Sequence, residues 1–130
     1  MPIFGTNSKR HRDSCHPDLI RVLDEAIKHY DFSVIWGHRD RESQRRAYLE
    51  GNSQLDWPKS NHNKKPSRAF DVVPYPGGFS NEDEEFYVLA THILRAASVC
   101  GVPLTWGGHW RSLRDLAHFE LSENLADTHK

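Results

Sequence analysis

The stretch Ser60-Asn61-His62-Asn63-Lys64-Lys65-Pro66-Ser67-Arg68-Ala69-Phe70-Asp71-Val72-Val73 passes from a polar, lysine-rich loop into a short apolar run. Ala69 to Val73 is rich in strand formers and is closed by Pro74, which predicts a strand. An aspartate flanked by Ala69, Phe70, Val72 and Val73 carries a desolvation cost unless it is paired or bound to a metal. His62 stands near the end of the loop that feeds this strand. That loop, Asn52 to Arg68, contains Pro58, Pro66, Lys59, Lys64 and Lys65. A connection of that length is usually mobile or functional.

A second segment has the same character. Trp106-Gly107-Gly108-His109-Trp110 leads through Arg114-Asp115-Leu116 into Ala117-His118-Phe119-Glu120-Leu121. Ala117 to Leu121 is a candidate strand, and His118 sits in it beside Phe119. Asp115 precedes His118 by three residues, near enough to share a site across a tight turn. A hydrolytic zinc site needs three nitrogen or oxygen ligands with a fourth position left for water. It also needs a carboxylate that accepts a proton from that water. Taken singly, a histidine or aspartate is ordinarily a hydrogen-bonded or surface residue. His-x8-Asp and Asp-x-x-His together, each entering an apolar strand, suggest a metal site.

Working outward, the periodicity predicts three helices. The first runs from about Pro17 to His29, with Leu19, Val22, Leu23, Ala26 and Ile27 on one face. Pro17 suits its first turn and Asp18 complements the dipole. The second runs from about Arg41 to Glu50, capped by Asp40 and ended by Gly51. The third runs from about Asn81 to Val99, with Ser80 as N-cap and a stripe of Phe86, Leu89, Ala90, Ile93, Leu94, Ala97 and Cys100. Phe32 to Trp36 and Leu104 to Trp106 are further strands. The expected fold is α+β, with about three helices on a small, mainly antiparallel sheet. Trp36 reads as core and Trp57, in the polar loop, as cleft wall.

The chain has 130 residues, which suits a single domain over residues 1–130. Lys plus Arg is 17 and Asp plus Glu 18, a net charge of -1. That balance excludes nucleic acid as the main partner, despite Lys9, Arg10 and Arg12. The two cysteines, Cys15 and Cys100, do not make a disulfide scaffold or a cysteine-based zinc site. Cys100 falls on the core side of its helix, as a buried free thiol would. Met1 to Cys15 lacks the apolar run of a signal peptide, and no stretch is long and apolar enough to insert in a membrane.

The two segments resemble the zinc peptidases that share a fold with lysostaphin-type enzymes, D-Ala-D-Ala peptidases and the hedgehog signalling domain. Ser60-x-His62, Ala69-x-Asp71 and Asp115-x-x-His118 match that pattern in order and type. Within it, the chain is most similar to phage endolysins that are L-alanyl-D-glutamate endopeptidases. His16-Pro17-Asp18-Leu19, Gly37-His38-Arg39 with Gln44, Tyr48 and Gly51, and Trp106-Gly107-Gly108 extend the likeness over about Cys15 to Leu121. The resemblance implies one zinc ion held by His62, Asp71 and His118, with Asp115 as general base. It implies Arg39 as the cation that binds substrate or steadies the oxyanion, and Ser60 as a substrate-contacting hydroxyl. It makes His109, which stands where relatives tend to carry aspartate, a neighbour of the site and not a ligand.

The implied substrate is the peptidoglycan stem peptide and the implied role is host lysis. The protein would be made in the host cytoplasm and act as a monomer on the wall, after a holin-like partner has permeabilised the membrane. Two departures stand out. His62 and Asp71 are nine apart, two more than the commoner spacing, and the base is Asp where the carboxypeptidase branch has Glu. The alternatives are a D-alanyl-D-alanine carboxypeptidase of the same fold and a non-catalytic zinc-binding domain.

Overall fold

The computed structural model describes residues 2–111 and 114–122. In chain order the elements are α1 (Thr6–Asp13), α2 (Pro17–Ile27), β1 (Phe32–Trp36), α3 (Arg41–Leu49), β2 (Ala69–Pro74), α4 (Asp83–Cys100), β3 (Leu104–Trp106) and β4 (His118–Leu121). Short 3-10 turns lie at Asn61–Asn63, Gly78–Ser80 and Gly107–His109. The four strands form one antiparallel sheet in the order β1-β2-β4-β3. The α+β expectation and all four strands hold.

Two helical expectations change. α1 was not anticipated. Its sequence, Thr-Asn-Ser-Lys-Arg-His-Arg-Asp, has no apolar stripe to betray a helix, and it buries only Ser8. Its place is set by tertiary contact: the Val34 amide donates to Ser8 Oγ at 3.0 Å. α4 begins at Asp83 instead of Asn81, and Ser80 is not its cap. Ser80 belongs to the preceding 3-10 turn, where its hydroxyl donates to the Gly77 carbonyl at 2.6 Å. Extended backbone at Asn81 and Glu82 separates that turn from the helix. Asp83, Glu84 and Glu85 in the first turn of α4 complement its dipole instead.

The pleat sorts the sheet into two faces. Side chains alternate along a strand, so neighbours point oppositely. On β2, Phe70 and Val72 turn to the main core, and Asp71 turns away. On β4, Phe119 and Leu121 turn to the core, and His118 and Glu120 turn away. α2 and α4 cover the core face with Leu19, Leu23, Leu89 and Ile93, all nearly inaccessible. Phe70 and Phe119 stack across the β2–β4 pair at 5.5 Å between ring centres. Truncating a buried Phe of this kind costs about 3–5 kcal/mol, so this pair anchors the strands that carry the site. Cys15 is buried and Cys100 half-buried, and both are free thiols.

Candidate metal centre

On the face away from the core, the strand register brings together residues far apart in sequence. Asp71 and His118 are direct cross-strand partners on β2 and β4. Opposed residues of an antiparallel pair have Cβ atoms about 4.5–5.5 Å apart, so the two side chains meet. His62 arrives from the Asn61–Asn63 turn. His62 Nε2 lies 3.2 Å from Asp71 Oδ1 and 3.3 Å from His118 Nδ1. His118 Nδ1 lies 3.0 Å from Asp71 Oδ1. All three residues are buried.

The other ring nitrogens show which atoms these are. His62 Nδ1 is 2.8 Å from the Gly37 carbonyl oxygen, which can only accept, so Nδ1 carries the proton and donates. His118 Nε2 is 2.7 Å from Glu120 Oε1 and likewise donates. Each neutral imidazole therefore presents a lone pair to the same point that the Asp71 oxygen faces. Metal-ligating histidines are held in this way, with the second N–H bonded to a carbonyl or carboxylate. A tetrahedral ion with bonds of about 2.0–2.1 Å has ligand–ligand edges of about 3.3–3.4 Å. The observed edges of 3.0–3.3 Å fit such an ion within a few tenths of an ångström. Among the described residues this trio is the one cluster able to hold a metal ion.

In the metal-free protein a proton takes that place. Burial would lower the His118 pKa, but hydrogen bonds to Asp71 and Glu120, with their charges, raise it to about 10. Burial works against the Asp71 carboxylate too, yet His62 and His118 hold it well below the usual carboxylate range. Asp71 has a further partner: Arg39 Nη2 donates to its Oδ2 at 3.3 Å.

Arg39 is itself buried and held on several sides. Nη1 donates to Gln44 Oε1 at 3.1 Å, and the guanidinium lies 4.7 Å over the Trp36 ring. Gln44, fully buried on α3, also accepts from Asn63 Nδ2 at 3.1 Å and donates to Ser53 Oγ and the Leu55 carbonyl. Arg39 Nε is buried without a partner among the described residues. Gln44 and Glu120 were not singled out as site residues from the sequence. The strand period offered a signal for Glu120, which is two residues from His118 and so on the same face.

Ser60 caps the turn that carries His62. The His62 amide donates to Ser60 Oγ at 3.2 Å, and the Ser60 amide donates to Asn63 Oδ1 at 3.1 Å. This reciprocal pair is a capping box on a single 3-10 turn. Asp115 lies before β4, half-buried. Its Oδ1 accepts from the Ala117 amide at 3.2 Å, an Asx turn that aims the side chain. Burial and the Asp71 charge raise its pKa, opposed by His118 and by the Ala117 N–H.

Asp115, Arg39, Ser60, His62, Asp71 and His118 all line one cleft of about 870 Å³. Trp36 and Trp110 line it as well, and Trp57 does not, which reverses the expectation for Trp36 and Trp57. Trp36 ends the edge strand β1 and is only half-buried, with its ring under Arg39. His109 packs edge-on against Trp106 at 4.9 Å and stays outside the ligand cluster.

Gly107 permits the close approach of the Asp115 loop. The Asp115 amide donates to the Gly107 carbonyl at 3.2 Å, and a Cβ on Gly107 would collide with the Asp115 carbonyl oxygen. Gly107→Ala should therefore displace Asp115, whose carbonyl also accepts from the His118 amide at 3.3 Å. Peptidase assays of the variant should show lost turnover. Unchanged turnover would refute the close-approach argument.

A family model described as phage L-alanyl-D-glutamate peptidase matches residues 3–129. The crystal structure of the Serratia marcescens L-Ala D-Glu endopeptidase ChiX is similar to this chain, with a TM-score of 0.78 and 35% sequence identity over 97% of this chain and 93% of that one. No curated protein sequence matches. With the histidine–aspartate cluster lining its cleft, the chain belongs to the phage L-alanyl-D-glutamate peptidase family.

Proposed function

We propose that this protein is a zinc-dependent endopeptidase that cleaves the L-alanyl-D-glutamate bond of peptidoglycan stem peptides, as a phage endolysin. The observation that carries the metal reading is the convergence of two imidazole lone pairs and a carboxylate oxygen on one buried point. Zinc, when bound, supplies Lewis acidity, which polarises a carbonyl and makes a water acidic near neutral pH. His62, Asp71 and His118 are the proposed ligands. Asp115 is the proposed base: its carboxylate takes the proton of the attacking water and returns it to the amine as the C–N bond breaks.

Arg39 has two proposed roles. Its Nη2 hydrogen bond orients Asp71, and its positive charge favours negative charge developing on the scissile carbonyl. Ser60, which lines the cleft, has no acceptor for its own hydroxyl proton among the described residues, which suits a substrate contact. No helix of the described residues is long and apolar enough to cross a membrane. Export after synthesis in the host, as a monomer aided by a holin-like permeabiliser, belongs to this proposal.

Digesting purified stem peptides with the zinc-loaded protein tests the reading. Mass spectrometry should show a cut after L-Ala. Release of terminal D-Ala alone would replace the endopeptidase with a D,D-carboxypeptidase. Zinc retained without any hydrolysis would make the chain a binding domain.

The pH dependence of metal binding follows from His118. Its folded pKa of about 10 exceeds the ordinary value, so in the metal-free protein its protonation stabilises the fold. That contribution is complete below about 6.5 and fades as pH rises through about 10. Zinc must displace this proton. Between about pH 7 and 9 the zinc affinity should therefore rise about tenfold per pH unit, with one proton released. Calorimetry in buffers of different ionisation enthalpy measures that proton, and a pH-independent affinity would contradict it.

A further inference from the structure

We propose that Glu120 is a positioning residue for this centre: it holds the His118 ring with Nδ1 turned to the cluster, and through Asn61 it ties that ring to the turn carrying His62. The inference rests on the metal reading of His62, Asp71 and His118. His118 uses Nδ1 toward the cluster, so its Nε2–H must find an acceptor in a buried place. Glu120 Oε1 supplies it at 2.7 Å, a charge-assisted bond of the shorter, stronger kind. Rotating the ring by half a turn would break that bond and carry the Nδ1 lone pair away from Asp71. The pleat of β4 places Glu120 on the same face as His118, so no other rearrangement is needed.

The second oxygen has a separate partner. Asn61 Nδ2 donates to Glu120 Oε2 at 2.9 Å. Asp71 and His118 are already locked to each other by the β2–β4 register. His62 is not on a strand, and its turn meets β4 through the Asn61–Glu120 side-chain bond. The same turn is anchored elsewhere by the Arg68 amide, which donates to the Asn61 carbonyl at 3.0 Å. One carboxylate thus orients one proposed ligand and fixes the segment that brings another. Both of its oxygens are engaged in doing so, and Glu120 lies outside the cluster whose ligand atoms converge.

Zinc affinity, measured by competition with a chromophoric chelator, tests this in wild type, Glu120→Ala, Glu120→Gln and Asn61→Ala. Loss of such an outer partner typically costs about 10–100-fold in metal affinity, and Glu120→Ala should fall in that range. Glu120→Gln keeps an acceptor oxygen for His118 Nε2–H and should recover most of the loss. Asn61→Ala should show a smaller loss, because the His118 bond survives. Nitrogen-15 shifts of the zinc-loaded His118 ring should report ligation through Nδ1 in wild type and Glu120→Gln. Wild-type affinity in Glu120→Ala overturns the proposal, as does Glu120→Gln binding as weakly as Glu120→Ala. If Glu120→Ala does not fold, Glu120→Gln and Asn61→Ala decide by the same measurements. Failure of the wild type to bind zinc would instead overturn the metal reading on which the inference rests.

Discussion

Asp115→Ala should lower turnover by about 10²–10⁴-fold, the usual contribution of a positioned general base, while zinc stays bound. Asp115 lies outside the trio whose atoms converge, so removing its carboxylate leaves the proposed ligands intact. The side chain is held by the Ala117 amide on one oxygen and lines the same cleft. The acid limb of kcat should follow the protonation of this carboxylate, which accepts a proton only when ionised. Metal analysis and stopped assays on the variant decide the matter. Wild-type turnover in Asp115→Ala removes Asp115 from the mechanism, and loss of zinc would recast it as a ligand.

Removing the metal, or one of its ligands, should cost both activity and stability. His62, Asp71 and His118 come from a turn and two strands, so an ion bound by all three binds the folded chain and not the unfolded one. At free zinc 100 to 1,000 times the dissociation constant, that linkage is worth about 2.7–4.1 kcal/mol. For a domain of this size the melting temperature should fall by roughly 10–15 °C on chelation. His118→Ala should reproduce the loss of activity and abolish the zinc-dependent part of the shift. Scanning calorimetry with and without chelator reads the effect. A melting curve that does not move, with metal confirmed absent, would show that the trio contributes nothing to folding through a metal.

The elements with a period were legible from residues alone. The apolar stripes of α2 and α4 and the strand formers of β1 and β2 lie where periodicity and turn residues put them. The trio was legible through the family resemblance, which matches its residues in order and type, whereas a histidine and an aspartate entering apolar strands by themselves only suggested a metal site. α1 was not legible, since its eight polar residues carry no amphipathic signal and its place depends on β1 through Ser8. The start of α4 was misplaced by two residues because Ser80, a good cap by type, is used in the turn before it.

Residue order and chemistry determined that this chain is α+β and suggested a metal site in its two segments, and the family resemblance assigned expected roles to His62, Asp71, Asp115 and His118. Only the tertiary structure decided what surrounds them. Strand register set Asp71 opposite His118, and the pleat set Glu120 beside it. The folding of α3 brought buried Gln44 under Arg39, and Arg39 onto Asp71. Which tryptophan faces the cleft was settled there too, with Trp36 and Trp110 in place of Trp57. The reason is physical: alternation and composition are local properties, whereas the partner of a buried polar group is supplied by whichever distant segment packs against it.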